Sequence, residues 1–224
     1  GEPDDLRKRS TVREYLQARI LQALQDSGAF AHWAFLGGTA LRFLFDLPRY
    51  SEDLDFSLVD VEGAAGFDKH IDRLVRDLKR EAYDVVAKTR GGPAVRSAFV
   101  RFPGLLYELG LSGHAEEALS VRVELDTNPP GGAHTETRVV RRFVLVNLLH
   151  YDRASLFAGK LHAILARSYT KGRDLYDLVW YLSDRSWPPP NFDHLNRALS
   201  QTGWPGPAIT EDNWKETVAD ALGR

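Results

Sequence analysis

The sequence predicts an α+β protein: a mixed sheet in its first two thirds and a mainly helical C-terminal part. Three observations carry this. The first sixty residues alternate helical and extended patterns. From Tyr83 to Val146 apolar residues recur largely at every second position, the period of a sheet. From Arg153 onward the spacing returns to three and four, the period of helices. A division near residue 150 follows, with domains expected at 1–150 and 151–224.

In order, Leu6 to Leu24 is the first helix, with Leu16, Ile20, Leu21 and Leu24 on one face, ended by Ser27-Gly28. Ala31 to Leu36 is a short apolar strand broken by Gly37-Gly38, and Thr39 to Phe45 a helix with Thr39 near its N-cap. Asp46 to Glu52, holding Pro48, is a loop, and Leu54 to Val59 a second strand. Gly66 to Arg80 is amphipathic, with Phe67, Ile71, Leu74, Val75 and Leu78 inward. Strands are expected at Tyr83–Ala87, Ala98–Phe102, Leu105–Leu111, Val121–Asp126 and Val139–Val146, punctuated by Pro103-Gly104 and Pro129-Pro130-Gly131-Gly132. Helices follow at Leu156–Arg167 and Arg173–Ser183, then near Leu195 and Trp214.

Composition narrows the chemistry. The apolar fraction of 43% and charged fraction of 27% are ordinary for a folded domain. No apolar run is long enough to span a bilayer, and the first residues lack a signal peptide's basic and apolar regions, so a cytoplasmic protein with no membrane partner is expected. With no cysteine, disulfides, thiolate metal sites and cysteine nucleophiles are excluded, and the seven histidines show no zinc-like spacing. Methionine is absent even at position 1, so a processed or trimmed start is expected. Charge is uneven: Arg138 to Arg173 holds eight Lys/Arg against one acid, which suits gripping phosphates at one place.

The chemistry-bearing residues centre on Ser51-Glu52-Asp53-Leu54-Asp55-Phe56. On a strand, Asp53 and Asp55 share a face, and two neighbouring carboxylates repel unless a cation neutralises them. Mg²⁺, or Mn²⁺ in its place, takes one or two carboxylates together with substrate phosphate oxygens. A solvated acidic turn is the plainer alternative. Gly37-Gly38-Thr39, between a strand and a helix, offers exposed N–H groups and a helix dipole to an anion, and glycine lets a phosphate come close. By itself that pattern equally describes a tight turn.

The runs Phe35-Leu36-Gly37-Gly38-Thr39-Ala40-Leu41-Arg42 and Arg49-Tyr50-Ser51-Glu52-Asp53-Leu54-Asp55-Phe56 closely resemble the AbiEii/AbiGii toxin family, within the DNA polymerase β-like nucleotidyltransferases. Lys160-Leu161-His162-Ala163 and Arg173-Asp174-Leu175-Tyr176-Asp177-Leu178 resemble its later motifs, so the likeness spans roughly residues 30 to 183. It implies a polymerase-β-like core and a metal held by Asp53, Asp55 and a third carboxylate on a later strand. In Val121 to Asp126, where Arg122, Glu124 and Asp126 share one face, Glu124 is the first choice and Asp126 the reserve. The resemblance also implies that Lys160 binds the triphosphate and that Asp174 is an active-site residue holding Lys160 or Arg173. An acidic first helical turn would explain Asp174 and Asp177 equally well. Gly37, Gly38, Thr39, Arg49 and Ser51 complete the expected nucleotide site. Arg42 either reaches phosphate or pairs with an acid of the fold. Ser51 is a turn hydroxyl or a control point where a phosphate would repel nucleotide.

The expected function is Mg²⁺-dependent transfer of a nucleoside monophosphate from an NTP to the 3′ end of tRNA, which would block translation. The family resemblance also implies a cognate antitoxin as partner. Transfer to a protein or small molecule, and a non-catalytic protein that binds nucleotide or antitoxin, are the alternatives.

Overall fold

The structure, a computed structural model, describes residues 2–60, 66–92 and 94–223, so Gly1 lies outside it. The described residues fall into two compact units, one within residues 1–128 and 137–150, the other within 129–136 and 151–224.

In the first unit, helix α1 (Glu2–Asp26) leads through a single 3₁₀ turn, Ala29–Ala31, into strand β1 (Trp33–Leu36). Helix α1 starts earlier than its apolar pattern. Leu16, Ile20, Leu21 and Leu24 are its buried face. Helix α2 (Gly37–Phe45) begins with the glycine pair inside it, so Thr39 lies in the first turn and is not the cap; that position is Leu36, which gives no side-chain bond. Strand β2 (Asp53–Leu58), helix α3 (Phe67–Arg80), strands β3 (Val86–Gly91) and β4 (Val95–Pro103), the single-turn helix α4 (Leu105–Glu108) and strand β5 (Ala118–Asp126) follow. Strands β6 (Thr135–Arg142) and β7 (Val144–Tyr151) complete a seven-stranded mixed sheet in the order β3-β4-β5-β2-β1-β7-β6.

The sheet positions the chemistry. β2 runs antiparallel to β1 and parallel to β5, with Asp53 opposite Arg122 and Asp55 opposite both Glu124 and Leu36. β5 alternates strictly: Leu119, Val121, Val123 and Leu125 are buried, while Ser120, Arg122, Glu124 and Asp126 occupy the other, partly open face. Beneath lie Trp33, Phe35 and Phe56, all within 2% exposure, with Trp33 stacked on Phe67 at 5.5 Å between ring centroids. Rings of this size bury a large apolar area beneath the central strands.

Three expectations need correction. Leu105–Leu111 is not a strand: Gly104, at φ 71°, opens a helical turn, and Leu111 N–H donates back to Leu106 O, closing a compact turn. Val139–Val146 is not one strand but the junction of β6 and β7, reversed at Phe143, which takes φ 60°. The strand expected at Tyr83–Ala87 begins only at Val86, because Ala82, at φ 68°, and the Tyr83 N–H bond to Leu78 O are still ending α3. Val75 is only half-buried on α3.

The second unit is helical: α5 (Arg153–Ala166), α6 (Gly172–Ser183), α7 (Phe192–Gln201) and α8 (Trp214–Leu222). Asp152 caps α5 by accepting from Ser155 N–H at 2.8 Å. Asn191, the cap of α7, donates to Gly132 O at 2.7 Å, which ties the Pro-Pro-Gly-Gly loop to this unit. Phe157 of α5 stacks on Tyr181 of α6 at 4.6 Å and meets Trp214 of α8 edge-on at 5.6 Å. Among the described residues no helix is long and apolar enough to cross a membrane.

Candidate active site

The acid face is built by the register of β2 on β5. Asp53 and Asp55 point to one side of β2 because residues two apart share a face. Arg122 and Glu124 do the same on β5, one rung to one rung. Arg122 then forks: Nη2 donates to Asp53 Oδ2 at 3.0 Å, and Nη1 lies 2.9 Å from Glu124 Oε2. The hydrogen bond to Asp53 raises the guanidinium's pKa above its ordinary value, and the charges of Asp53, Glu124 and Asp55 add to it. All three acids therefore lie within electrostatic reach of one cation. The side chains of Asp53, Arg122 and Glu124 are 30%, 36% and 32% exposed, so the face is open to water.

The glycine pair shapes the same face. Gly37 takes φ 79°, and a Cβ there would sit 2.5 Å from Asp55 Oδ2, so only glycine leaves the space this carboxylate fills. At Gly38 a Cβ would stand 2.9 Å from both Arg49 Nη2 and Ser51 Oγ, so these two side chains lie against the first turn of α2. Arg49 Nη1 also donates to Tyr50 O at 3.1 Å. Thr39 is fully buried, and its hydroxyl donates to Asp53 O, tying the helix to the start of β2. Ser51 O accepts from the buried Gln17 Nε2 at 3.0 Å, which fixes the chain as it enters the strand. Asp126 lies further along, opposite Ser57, and its Oδ1 accepts from Asn128 N–H at 2.9 Å. Burial pushes its carboxyl pKa up.

Arg42 belongs to the fold. Its guanidinium donates to Glu14 at 2.9 and 2.8 Å and to the carbonyls of Leu47 and Pro48, and it lies 4.2 Å over the Tyr50 ring. Arg142 reaches the same buried Glu14 at 2.5 Å.

The second unit holds a different cluster. Lys160 Nζ on α5 donates to Asp174 Oδ1 and lies equally close to Asp177 Oδ2, each at 2.8 Å. Both acids are on α6 and are buried. Arg167, not Arg173, is the second cation bonded to Asp174. Burial alone would raise the Asp174 pKa, but the Lys160 bond and the charges of Lys160, Arg167 and Arg173 outweigh it and hold the carboxyl below its ordinary value. Tyr181, fully buried nearby, has its hydroxyl pushed well up by burial and by the Asp177 charge.

Two participants went unassigned from sequence. Arg122 was visible on the acid face, but its role depends on which strand pairs with β5. Arg167 lies seven residues before Asp174 across a loop, so no helical spacing links the two.

A divalent cation suits this donor set, which is all carboxylate oxygen, the ligand a hard ion takes. The fit is shaped further by Gly37, whose missing side chain leaves room for Asp55. In the present arrangement Arg122 joins Asp53 to Glu124, and among the described residues no three His, Cys, Asp or Glu converge as a ready ligand group.

Comparison with known proteins places this architecture. A protein from Helicobacter pylori, JHP933, is similar in fold at 17% identity and a TM-score of 0.53, covering 96% of this chain and 89% of its own. An antigenic nucleotidyltransferase-like protein from Paracoccidioides brasiliensis aligns at 16% identity with a TM-score of 0.46, over 94% and 92% of the two chains. No curated protein matches the sequence. The family described as nucleotidyl transferase AbiEii toxin, type IV toxin–antitoxin system, matches residues 19–222. Because that match runs through the acid face of β2 and β5 and the lysine cluster of α5 and α6 alike, the chain belongs to the AbiEii toxins and is a nucleotidyltransferase.

Proposed function

We propose that this toxin transfers a nucleoside monophosphate from an NTP to the 3′ end of tRNA and thereby blocks translation. The observation that carries the reading is the acid face: Asp53 and Asp55 two residues apart on β2, Glu124 directly across from Asp55, and the first turn of α2 against Asp55 at Gly37. Asp53, Asp55 and Glu124 would hold Mg²⁺, or Mn²⁺ in its place. When bound, such an ion supplies charge neutralisation at the α-phosphate and a lower pKa for the attacking hydroxyl.

The chain's own residues account for the rest. The N–H groups and dipole of the α2 first turn favour a phosphate, and Gly38 leaves the backbone approachable there. Arg49 and Ser51, both against Gly38, contribute a cation and a hydroxyl to that same place. Thr39 acts through its bond to Asp53 O, holding the strand that carries the acids. Lys160 is assigned to the triphosphate tail: an ammonium has three protons, and two acceptors already orient it. Asp174 and Asp177 position that lysine. In the reaction the 3′-hydroxyl oxygen bonds to the α-phosphorus, the α–β bridging P–O bond breaks, and pyrophosphate leaves; an acid of the face takes the hydroxyl proton. The chemistry is assigned to residues 1–150, and a supporting role toward nucleotide and acceptor to the helical segment 151–224, as expected from the sequence.

Support for an RNA acceptor comes from the basic stretch, although part of it serves the fold. Arg142, Lys160 and Arg167 are in internal ion pairs, whereas Arg141 and Arg173 are exposed and available to a phosphate backbone. An antitoxin encoded alongside is the expected protein partner, and the cytoplasm the expected compartment. Incubation of the protein with each α-labelled NTP and total tRNA tests the proposal. Label at the RNA 3′ end, with loss of translation by the treated tRNA, is expected. Label on protein, on a small molecule or nowhere would overturn it.

A further inference from the structure

The fork of Arg122 is unusual in its placement. It rises from the same face of β5 as Glu124 and directly opposite Asp53, so one guanidinium spans two strands and two acids. The acids it joins are those assigned above to the divalent ion. A guanidinium at 2.9–3.0 Å from a carboxylate oxygen stands where an ion bridging the two acids must come much closer, at about 2.1 Å from each oxygen. Two cations cannot hold the same oxygens at once without strong repulsion. At 36% exposure the Arg122 side chain can leave without opening the core, and Val121 and Val123 on either side of it stay buried in the sheet.

We propose that Arg122 is a built-in counter-cation for the acid face, bridging Asp53 and Glu124 when no divalent ion is present and giving way when one binds. This rests on the reading of Asp53, Asp55 and Glu124 as metal ligands. Arg122 keeps three like charges together in the resting protein, so folding of the face does not require metal. In exchange it weakens binding of a divalent ion on its own. Arg122 is thus a positioning residue: it acts on the ligand acids.

Titration of Mn²⁺ without nucleotide, followed by loss of the free-ion electron paramagnetic resonance signal, tests this on the full chain. Arg122→Gln is expected to bind Mn²⁺ about tenfold more tightly than the unaltered protein, the scale on which one adjacent charge shifts the affinity of a carboxylate. Arg122→Lys keeps the charge but cannot span both acids with a planar fork, and is expected to gain less, about threefold. Asp55→Asn in the Arg122→Gln background is expected to abolish the gain. Thermal melts add a second readout: Arg122→Gln melts lower than the unaltered protein without Mn²⁺ and rises further when it is added. If Arg122→Gln does not fold, Arg122→Lys decides, tighter binding supporting the proposal and unchanged binding overturning it. Equal or weaker binding by folded Arg122→Gln, with binding still dependent on Asp55, would overturn the counter-cation role and leave the metal reading standing. Binding indifferent to Asp55, or absent from every protein, would overturn both.

Discussion

Two charge clusters in this molecule are made of the same ingredients, Asp or Glu with Arg or Lys, yet they sit in opposite surroundings. On the β2–β5 face, Asp53, Arg122 and Glu124 are each about a third exposed. In the helical unit, Asp174 and Asp177 are 2% and 0% exposed, and Lys160 is pinned between them. Water screens the first cluster, so its members can be exchanged, protonated or metallated at small cost to folding. The second is desolvated, so removing one partner strands a charge in the interior.

Altering the buried cluster should have the largest effect. Lys160→Met would remove the ammonium shared by Asp174 and Asp177 and is expected to cost about 3–5 kcal/mol of unfolding free energy, measured by denaturant titration, together with nucleotidyl transfer. A loss of activity with unchanged stability would show that the cluster is not structural. On the open face the pattern should invert. Glu124→Gln is expected to lower transfer by about 10²–10³-fold while the melting temperature hardly moves. Asp126→Asn should keep most activity, since that carboxylate is engaged with Asn128 N–H and stands opposite Ser57. The reverse ranking of the two would move the third ligand to Asp126.

Gly37→Ala probes a middle case, where backbone and chemistry meet. A Cβ at φ 79° and 2.5 Å from Asp55 Oδ2 should cost about 1–3 kcal/mol and displace the carboxylate, so activity falls more than stability alone explains. Calorimetry and a transfer assay on the same preparation would separate the two effects. The smallest effect is a pH dependence. The folded pKa of Asp174 lies below its ordinary 3.8, so its stabilisation is present above that value and is lost as pH falls through the folded pKa. Denaturant midpoints measured from pH 6 down to about pH 3 should therefore fall more steeply for the unaltered protein than for Asp174→Asn. Parallel curves would contradict it.

The contrast also explains what could be read in advance. Asp53 and Asp55 were legible because a strand's period of two is written locally, as was the alternation that puts Arg122, Glu124 and Asp126 on one face. Which of those residues meets which acid was not, because it depends on β5 lying parallel to β2, a pairing between segments about seventy residues apart. The burial of Asp174 and Asp177 was likewise beyond a spacing argument: acids three apart near the start of a helix look the same in sequence whether the helix dipole or a buried lysine holds them. Two of the misread segments share one cause. Phe143 and Ala82 take positive φ without being glycine, so the reversal between β6 and β7 and the late start of β3 carry no composition signal. At Leu105–Leu111, leucines spaced for a strand also fit a single helical turn, and Gly104 decided between them.

The most direct test compares the unaltered protein with Asp55→Asn in one experiment, transfer of labelled nucleotide to the 3′ end of tRNA with divalent ion present. If the open acid face is the reaction centre, the variant keeps its melting temperature and its transfer falls by about 10³-fold. Transfer within a few-fold of the unaltered protein would contradict that assignment and place the chemistry elsewhere in the chain.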